Sequence, residues 1–375
     1  MIPPSPLTTV TGREPRVLVL WADDASPNLG VRALATGTAA FVRGVWPAAH
    51  ITFHNYGARN PHLPIGSLHS IVWERITGRR GMQDWFRSFD IVVDTRSGDS
   101  FSDIYGVRRL AMMTAVGEFA RQAGVPVVLG PQTIGPFRTR FGRALGKVGA
   151  RRARLVLARD SLSASRASQL GAETTTLTTD VVFAIPQPTE LPPRDVVLSV
   201  SGLLWNPNPH VDSTRYRETL IELHENLVRE DRSVAVLAHV LESGNHDSDV
   251  AAAREFATIA GCTDVVIPAD LAEVRAVLGG ARAVIGSRMH ACLNALSVGT
   301  AAVPLAYSDK FHPLLGDLGW AHSVDLRVGG DVAGAAMRQL ASAESDDLGA
   351  VRDRASHALF AGELALARCA DALAR

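Results

Sequence analysis

The chain has 375 residues, more than one ordinary hydrophobic core holds and enough for two domains of ordinary size. Lysine plus arginine and aspartate plus glutamate each number 38, so the formal net charge is +0. This balance argues against nucleic acid or an anionic membrane as the main partner, although it does not exclude a local basic pocket. The three cysteines fit neither a disulfide framework nor a zinc site. Without a membrane-length apolar run or a secretory pattern, we expect a cytoplasmic protein with a disordered lead over residues 1–15.

The first half alternates short apolar runs with helical stretches, as a parallel α/β sheet does. Residues 16–21 predict a buried strand that leads through a turn at Asn28 and Gly30 into a helix over residues 33–42. The dinucleotide fingerprint is absent, because its three spaced glycines are missing. Further strands are predicted over residues 50–53, 90–94, 125–129 and 155–158. Residues 55–84 predict a long loop with one short helix at most.

Four polar side chains lie in the glycine-broken loop that follows the strand at residues 90–94. They are Asp94, Asp99, Asp103 and Tyr105. Such residues are typical formers of turns and caps. Carboxylates also accept hydrogen bonds strongly from hydroxyl groups, so the same residues could bind a sugar. The sequence leaves both interpretations open.

Two basic features follow in the first half. Residues 138–154 predict an arginine-rich helix, which is either a solvated face or a patch for an acidic ligand or a membrane, with the solvated face favoured. Arg159 stands at the end of the strand at residues 155–158, where a helix begins. A second arginine so placed elsewhere could converge with Arg159 on one small dianion.

A proline-rich segment marks the best domain boundary in the chain. Its prolines are Pro186, Pro188, Pro192 and Pro193. We therefore predict one domain over residues 16–186, a second over residues 194–345, and a final helix over residues 346–375 that packs across the boundary. The second half repeats the alternation of strands and helices. One of its strands, at residues 233–237, leads to His239.

The chemistry concentrates in residues 281–320, which predict strand, helix and strand. The helix opens with Ser287-Arg288-Met289-His290, and the second strand releases Tyr307 and Lys310 just past its end. A helix N-terminus favours an anion, Arg288 adds a planar fork for carboxylate or phosphate, and His290 can exchange a proton near neutral pH. The alternative is that Arg288 pairs with a local carboxylate and His290 is a satisfied histidine. A cation in the first turn opposes the helix dipole, which favours a functional explanation.

Motifs at successive strand ends resemble the polysaccharide pyruvyl transferase family over roughly residues 16–320. They are Asn28-x-Gly30, Ser97-Gly98-Asp99, Gly130-Pro131-Gln132-x-Ile134-Gly135-Pro136, Arg159-Asp160-x-x-Ser163, Asp180-x-x-Phe183, His239, Ser287-Arg288-Met289-His290, Tyr307-x-x-Lys310 and Gly316-x-Leu318-Gly319. The resemblance implies an α/β fold of two Rossmann-like domains facing a cleft, like that of the GT-B glycosyltransferases. It also implies transfer of an enolpyruvyl-derived group from phosphoenolpyruvate to a sugar, giving a pyruvate ketal and phosphate.

The resemblance also suggests roles for individual residues. Arg288, His290 and Arg159 take the phosphoenolpyruvate-site positions, with Ser287, Met289, Tyr307 and Lys310 completing the donor set. His290 is the best candidate for the acid that protonates the donor. The acceptor set is Asn28, Asp94, Asp99, Asp103 and His239. The scheme needs no cofactor and no metal.

Two departures from the family pattern concern the acceptor. Val31-Arg32 stands where acidic residues are usual, and Ser97 replaces the first glycine of a pair. The acceptor could be a polysaccharide repeat, a small glycoside or a glycolipid, and contact with a membrane would run through the last of these. Two other functions stay open. One is a GT-B nucleotide-sugar glycosyltransferase, and the other is a non-catalytic member that binds saccharide or phosphate.

Overall fold

The computed structural model describes residues 14–55, 68–242 and 247–371, and the chain divides into two compact units. Unit 1 comprises residues up to Asp24, Leu34–Ala184 and the residues from Ala355 on. Unit 2 comprises Ala25–Ala33 and Ile185–Arg354. Most of the predicted lead, residues 1–13, lies outside the described residues.

Unit 1 is built on one parallel sheet with strand order β2-β1-β3-β4-β5-β6. Its strands are β1 (Arg16–Leu20), β2 (His50–His54), β3 (Ile91–Asp94), β4 (Val127–Gln132), β5 (Leu155–Ala158) and β6 (Thr175–Leu177). Its helices are α1 (Leu29–Val45), α2 (Leu68–Thr77), α3 (Met82–Arg87), α4 (Val107–Gln122), α5 (Arg140–Arg152) and α6 (Ser161–Leu170).

Both faces of this sheet are covered, as a parallel sheet requires. Val17 and Val19 of β1 belong to one core cluster with Phe41 of α1, whereas Leu18 and Leu20 belong to another, built largely on residues of α2 to α4. Successive strand residues point to opposite faces, which explains the continuous apolar run in the sequence. Burial of each such side chain contributes about 1.5–3 kcal/mol.

Two predictions for unit 1 need correction. Residues 55–84 were predicted to hold one short helix at most, but α2 lies there and α3 begins there. The apolar residues of α2 do not lie on one buried face, since Trp73 and Ile76 are exposed, and so the usual helical signal is weak. The other correction concerns the strand predicted over residues 125–129, because β4 begins at Val127 and continues through Gly130 and Pro131 to Gln132.

Unit 2 repeats the plan with the strand order β12-β11-β10-β7-β8-β9, again all parallel. Its strands are β7 (Arg194–Val200), β8 (Val234–Ala238), β9 (Val265–Val266), β10 (Ala281–Gly286), β11 (Ala301–Ala306) and β12 (Val324–Asp325). Its helices are α7 (Gly202–Trp205), α8 (Ser213–Arg229), α9 (Asp249–Ala260), α10 (Leu271–Gly279), α11 (Met289–Ser297), α12 (Phe311–Asp317) and α13 (Val332–Ala343). The order is that of the Rossmann fold, which reverses between the first and fourth strands, here β7 and β10.

Two segments are grouped differently from the sequence-based domains. Residues 25–33, predicted to lie in the domain of residues 16–186, group with unit 2 because Asn28 forms an antiparallel bridge with Val240. The final helix, α14 (Leu348–Asp371), has its residues from Ala355 on in unit 1 and the earlier ones in unit 2. Its predicted packing across the boundary stays a prediction. No helix among the described ranges is both long and apolar enough to span a membrane.

Candidate active site

The carboxyl ends of four neighbouring strands in unit 2 carry the polar residues singled out from the sequence. β11 ends before Tyr307, β10 before Ser287 and Arg288, β7 before Ser201, and β8 before His239. The strand order reverses between β7 and β10. In open α/β sheets ligands bind at this edge, at the point of reversal. We therefore treat this edge of unit 2 as the candidate site.

Arg288 is held by two aspartates at the start of α9. Its Nε lies 3.1 and 3.2 Å from the carboxylate oxygens of Asp249, and its Nη2 lies 2.6 Å from Asp249 and 2.8 Å from the Asp247 carboxylate. Burial of Arg288 acts against its charge, but the two aspartates more than offset this and raise its pKa above the usual range. Among the residues that the structure describes, none bonds to Nη1. The guanidinium is thus fixed on one side and keeps a donor for a ligand.

Asp249 ties three strand ends together. Its carboxylate is fully buried and accepts hydrogen bonds from the backbone N–H groups of Gly202 after β7, and of His239 and Val240 after β8. It also accepts from Arg288, which follows β10. A buried carboxylate with these donors is rigidly oriented, so the position of Arg288 is set by the backbone of the sheet edge.

The Asn28-x-Gly30 motif packs against His290. The Oδ1 of Asn28 accepts a hydrogen bond from the N–H of Gly30 at 2.9 Å, which shapes the turn that opens α1. A Cβ atom at Gly30 would lie 2.9 Å from Nδ1 of His290, closer than real Cβ contacts allow. A side chain at position 30 would therefore displace the imidazole ring. The sequence placed Asn28 with the acceptor residues of the first domain, but the structure places it beside the predicted catalytic histidine.

His239 is the most deeply buried histidine of the site, at 1 % exposure. Its backbone carbonyl accepts a hydrogen bond from the N–H of Leu29, and its Nε2 has no hydrogen-bond partner among the described residues. Burial, followed by the nearby His290 and Arg288, lowers the pKa of His239 to about 3. The ring is therefore neutral at physiological pH and could donate or accept only one hydrogen bond at each nitrogen.

Ser287 and Tyr216 link β10 to β7. The Ser287 hydroxyl lies 3.1 Å from the Tyr216 hydroxyl, which also accepts from the backbone N–H of Ser201 at 3.1 Å. Burial raises the pKa of Tyr216 to about 12, so the phenol stays protonated. Ser287 is fully buried, and its hydrogen bond with Tyr216 fixes the backbone just before α11.

Tyr307 and Lys310 stand beyond the end of β11. The Tyr307 ring lies 5.3 Å from the ring of His210 and 5.7 Å from that of Phe311, while the Lys310 ammonium lies 5.8 Å from the Tyr307 ring centre. Burial and the charge of Lys310 lower the pKa of His210. Met289 is buried at the first position of α11.

Arg159 belongs to unit 1 and is also buried and paired. Its Nη1 lies 3.1 Å from the Asp180 carboxylate, and its exposure is 1 %. Asp180 in turn accepts from the N–H of Val182, which anchors the turn after β6. Asp160 caps α6 through the N–H of Ser163. The convergence of Arg159 and Arg288 on one anion stays a prediction.

The three aspartates predicted to bind an acceptor differ in their surroundings. Asp94 is fully buried and its carboxylate binds Arg96 at 2.8 Å. Asp103 accepts from the N–H groups of Arg138 and Thr139; these outweigh its partial burial and hold its pKa below the usual range. A saccharide would have to displace these donors. Asp99 is only half-buried and accepts from the Tyr105 hydroxyl at 2.7 Å.

Sequence reasoning missed the residues that support the site. Asp249, Asp247 and Tyr216 contact the Ser287-Arg288 pair from 39, 41 and 71 positions away along the chain. The polar stretch after His239 was visible as a loop, but nothing local identifies which of its aspartates meets Arg288. The alternative interpretation of the sequence was that Arg288 pairs with a local carboxylate. Arg288 does pair with the carboxylates of Asp249 and Asp247, and one guanidinium nitrogen is left for other contacts.

Solved structures with the same fold include UDP-GlcNAc 2-epimerases and a GT-B glycosyltransferase. UDP-GlcNAc 2-epimerase from Neisseria meningitidis, bound to UDP-GlcNAc, is 10% identical with a TM-score of 0.54, covering 96% of this chain and 98% of that one. The UDP-N-acetylglucosamine 2-epimerase of Rickettsia bellii is 10% identical, with a TM-score of 0.55 and coverage of 95% and 96%. UGT73P12 of Glycyrrhiza uralensis, complexed with glycyrrhetinic acid 3-O-monoglucuronide, is 8% identical, with a TM-score of 0.53 and coverage of 96% of each chain. The chain thus has the two-domain α/β fold of the GT-B glycosyltransferases and these epimerases.

The family follows from the sequence match. The family model described as polysaccharide pyruvyl transferase matches residues 28–309, which is most of the chain and includes Arg159, His239, Arg288, His290 and Tyr307 but not Lys310. The chain belongs to the polysaccharide pyruvyl transferase family. No curated protein matches it.

Proposed function

We propose that the protein transfers a pyruvyl group from phosphoenolpyruvate to two hydroxyls of a sugar, forming a pyruvate ketal and releasing phosphate. The observation that carries this proposal is the single edge of unit 2 on which Arg288, His290 and the β11 residues stand together. Arg288 offers Nη1 from a fixed guanidinium, and Lys310 adds a second cation after the neighbouring strand. Phosphoenolpyruvate carries a carboxylate and a phosphate, which these groups match in charge.

The start of α11 supplies the third element of donor binding. Arg288 is the N-cap residue and makes no side-chain cap bond, because its side chain turns back to Asp249. The N-terminal amides of a helix and its dipole favour an anion. Placing the guanidinium beside that terminus is costly without a ligand, and Asp249 and Asp247 offset the cost. A bound dianion would complete the charge balance.

The chemistry we propose proceeds in two balanced steps. A sugar hydroxyl attacks C2 of the enol phosphate and loses its proton to solvent, while C3 gains a proton from His290. The product is a tetrahedral ketal phosphate. A second hydroxyl then attacks C2, the C–O bond to phosphate breaks, and the proton of this hydroxyl passes to the neutral His290, which closes the ketal and restores the acid. Arg288 stabilises the phosphate or carboxylate as charge moves onto the leaving group.

The remaining predicted residues take proposed supporting roles. Arg159 is proposed to contact the donor, and Asp99 is the acceptor candidate whose carboxylate is least enclosed. Arg159→Ala should cost more than tenfold in phosphoenolpyruvate affinity, since a charge-assisted hydrogen bond would be lost. An unchanged affinity would remove Arg159 from the donor site. Unfolding should be measured alongside, because Asp180 loses its partner.

One rival is a nucleotide-sugar glycosyltransferase. Structural neighbours bind UDP-GlcNAc, and a helix N-terminus with an arginine also suits a diphosphate. Titration calorimetry with phosphoenolpyruvate and, separately, with UDP-GlcNAc distinguishes the two donors. We expect heat of binding from phosphoenolpyruvate alone.

The direct test of the proposed function is phosphate release. The protein should release phosphate from phosphoenolpyruvate only when a suitable sugar is present, and the sugar should gain a pyruvate ketal detectable by mass spectrometry. Arg288→Lys should lower the rate strongly, because an ammonium lacks the planar fork that binds Asp249 through Nε and Nη2 and presents Nη1 on the other side. Binding of phosphoenolpyruvate without release across a broad panel of sugars and glycolipids would favour a non-catalytic role.

A further inference from the structure

We propose that the outward face of α5, together with the tip of the loop over residues 99–106, docks on an anionic membrane surface. This surface lies wholly in unit 1 and is independent of the reaction proposed above. We call it the α5 face and define it by Arg140, Phe141, Lys147 and Arg151 of the helix and Ile104 of the loop. The sequence favoured a solvated face for this helix and left a patch for an acidic ligand or a membrane as the alternative, and the proposal develops that alternative.

The helix separates its small residues from its charged ones. Gly142, Gly146 and Ala150 form its buried side at spacings of four residues. Arg140, Lys147 and Arg151 are exposed and follow one another at spacings of seven and four, so they form one outward row. The narrow buried side holds the helix close to the unit and leaves the entire opposite side to solvent.

The charges of this row are not neutralised within the protein. The helix contains no aspartate or glutamate, and no ion pair joins Arg140, Lys147 or Arg151 to any residue in the described part of the chain. Arg152, at the edge of the face, shows the contrast, because it pairs with Glu118 at 2.5 Å. Like charges spaced in this way repel one another, so an anionic partner is favoured. The net charge of +0 for the chain makes this a local concentration.

Large apolar side chains stand exposed among these cations. Phe141 is 60 % exposed in the first turn of α5, and Ile104 is 47 % exposed at the loop tip. Asp103 clamps the two segments together, because its carboxylate binds the N–H groups of Arg138 at 2.8 Å and Thr139 at 2.7 Å. Ile104 is therefore held beside the start of the helix.

The combination of apolar and cationic groups identifies the partner. A soluble polyanion satisfies the arginines but buries neither Ile104 nor Phe141. Nucleic acid bases stack on an aromatic ring such as Phe141 but offer no apolar environment to Ile104. A membrane surface offers both, since anionic headgroups bind the cations and the acyl boundary receives the apolar side chains. We therefore commit to an anionic lipid surface.

The experiment is co-sedimentation of the full-length protein with vesicles of phosphatidylcholine, alone or mixed with phosphatidylglycerol. Wild-type protein should bind the mixed vesicles, release in high salt, and ignore phosphatidylcholine alone. Arg140→Glu/Lys147→Glu should weaken binding about twentyfold or more, since each charge near such a surface contributes about fivefold. Phe141→Ser should weaken it about tenfold without changing net charge.

The matched control is Arg229→Glu/Arg254→Glu, which makes the same change in net charge on exposed helices of unit 2. It should leave vesicle binding almost intact. Equal loss in the control, or no binding of wild-type protein to mixed vesicles, would overturn the proposal. So would a Phe141→Ser variant that binds like wild type while heparin competes for the charged face, which would identify a soluble polyanion. Should the double reversal fail to fold, Arg140→Ala/Lys147→Ala gives the same comparison with a smaller expected loss.

Discussion

The two sheets place a buried aspartate–arginine pair at the same kind of position and use it differently. In unit 1, Asp94 ends β3 and binds Arg96, and the exposures of the two residues are 0 % and 2 %. In unit 2, Asp249 is equally buried, but the Arg288 side chain is 11 % exposed and shares the half-exposed Asp247. The first pair is almost unexposed, although it lines a pocket with Thr114, Glu118 and Arg152. The second is a buried carboxylate that presents its cation to the surface.

The comparison shows that an ion pair by itself does not mark a site. In the Asp94–Arg96 pair the guanidinium is satisfied within the protein, since Arg96 also donates to Thr114 and stacks 4.9 Å from the Phe101 ring. The Asp249–Arg288 pair has histidines beside it and a helix N-terminus at the arginine. What distinguishes the site is the exposed donor and the neighbouring proton carrier, since a pair satisfied within the protein can only stabilise the fold.

The largest expected effect comes from removing the charge of either aspartate. Asp94→Asn and Asp249→Asn should each destabilise the protein by about 3–5 kcal/mol, because a buried arginine loses its partner. Urea unfolding measures this. The two variants should differ in phosphoenolpyruvate affinity under conditions where both are folded. The affinity for phosphoenolpyruvate should fall tenfold or more in Asp249→Asn and stay unchanged in Asp94→Asn. Equal affinity in the two variants would break the comparison.

Acid should reveal the buried histidine of the site. An unfolded histidine has a pKa of 6.5, and burial lowers that of His239 to about 3. Between these values the unfolded chain binds more protons than the folded protein, so the stability present above pH 6.5 is lost as the pH falls toward 3. At pH 5 the loss from this residue is about 2 kcal/mol. His239→Gln should remove that part of the difference between urea unfolding at pH 7 and at pH 5, and identical pH dependence in the two proteins would contradict the assignment.

Gly30 tests whether the first motif positions His290. Gly30→Ala should fold but lower turnover about tenfold or more, because the added methyl group displaces the imidazole. The matched control is Gly316→Ala, since nothing lies within 4 Å of a Cβ at that helical position. The control should keep full turnover and gain slightly in thermal stability. Equal turnover in both variants would separate Asn28-x-Gly30 from the catalytic residue.

The smallest expected effect concerns the backbone at Ser97 and Gly98, just after β3 in unit 1. Ser97 adopts a φ of 52° between Arg96 and Gly98, where the family pattern has a glycine. Ser97→Gly should therefore stabilise the protein by about 0.5–1 kcal/mol, and Gly98→Ala, at a φ of 84°, should destabilise it by a similar or larger amount. Thermal unfolding of both variants checks the opposite signs. A loss of stability in Ser97→Gly would mean that the Ser97 hydroxyl, 3.3 Å from Arg109, matters more than backbone strain.

The sequence was most informative where structure is local. Apolar runs such as residues 301–306 predicted their strands directly, because both faces of a parallel sheet are buried. Arg288 and His290 were found because they stand one and three residues after the helix start signal at Ser287. The partner of Arg288 was not predicted, because Asp249 lies 39 positions earlier in the chain. An aspartate is also common in the first turn of a helix, so nothing in the local sequence distinguishes Asp249. Asn28 was assigned to the first domain because only its long-range bridge to Val240 shows where it belongs.

The central claim is that His290 supplies a proton at a phosphoenolpyruvate site in unit 2. The measurement is phosphoenolpyruvate binding by calorimetry and phosphate release by the same preparation of His290→Gln. Binding should be retained, because glutamine keeps polar size and hydrogen-bonding capacity, while turnover should fall roughly a hundredfold or more. A variant that loses phosphoenolpyruvate affinity but keeps its maximal rate would contradict the claim and make His290 a binding residue only.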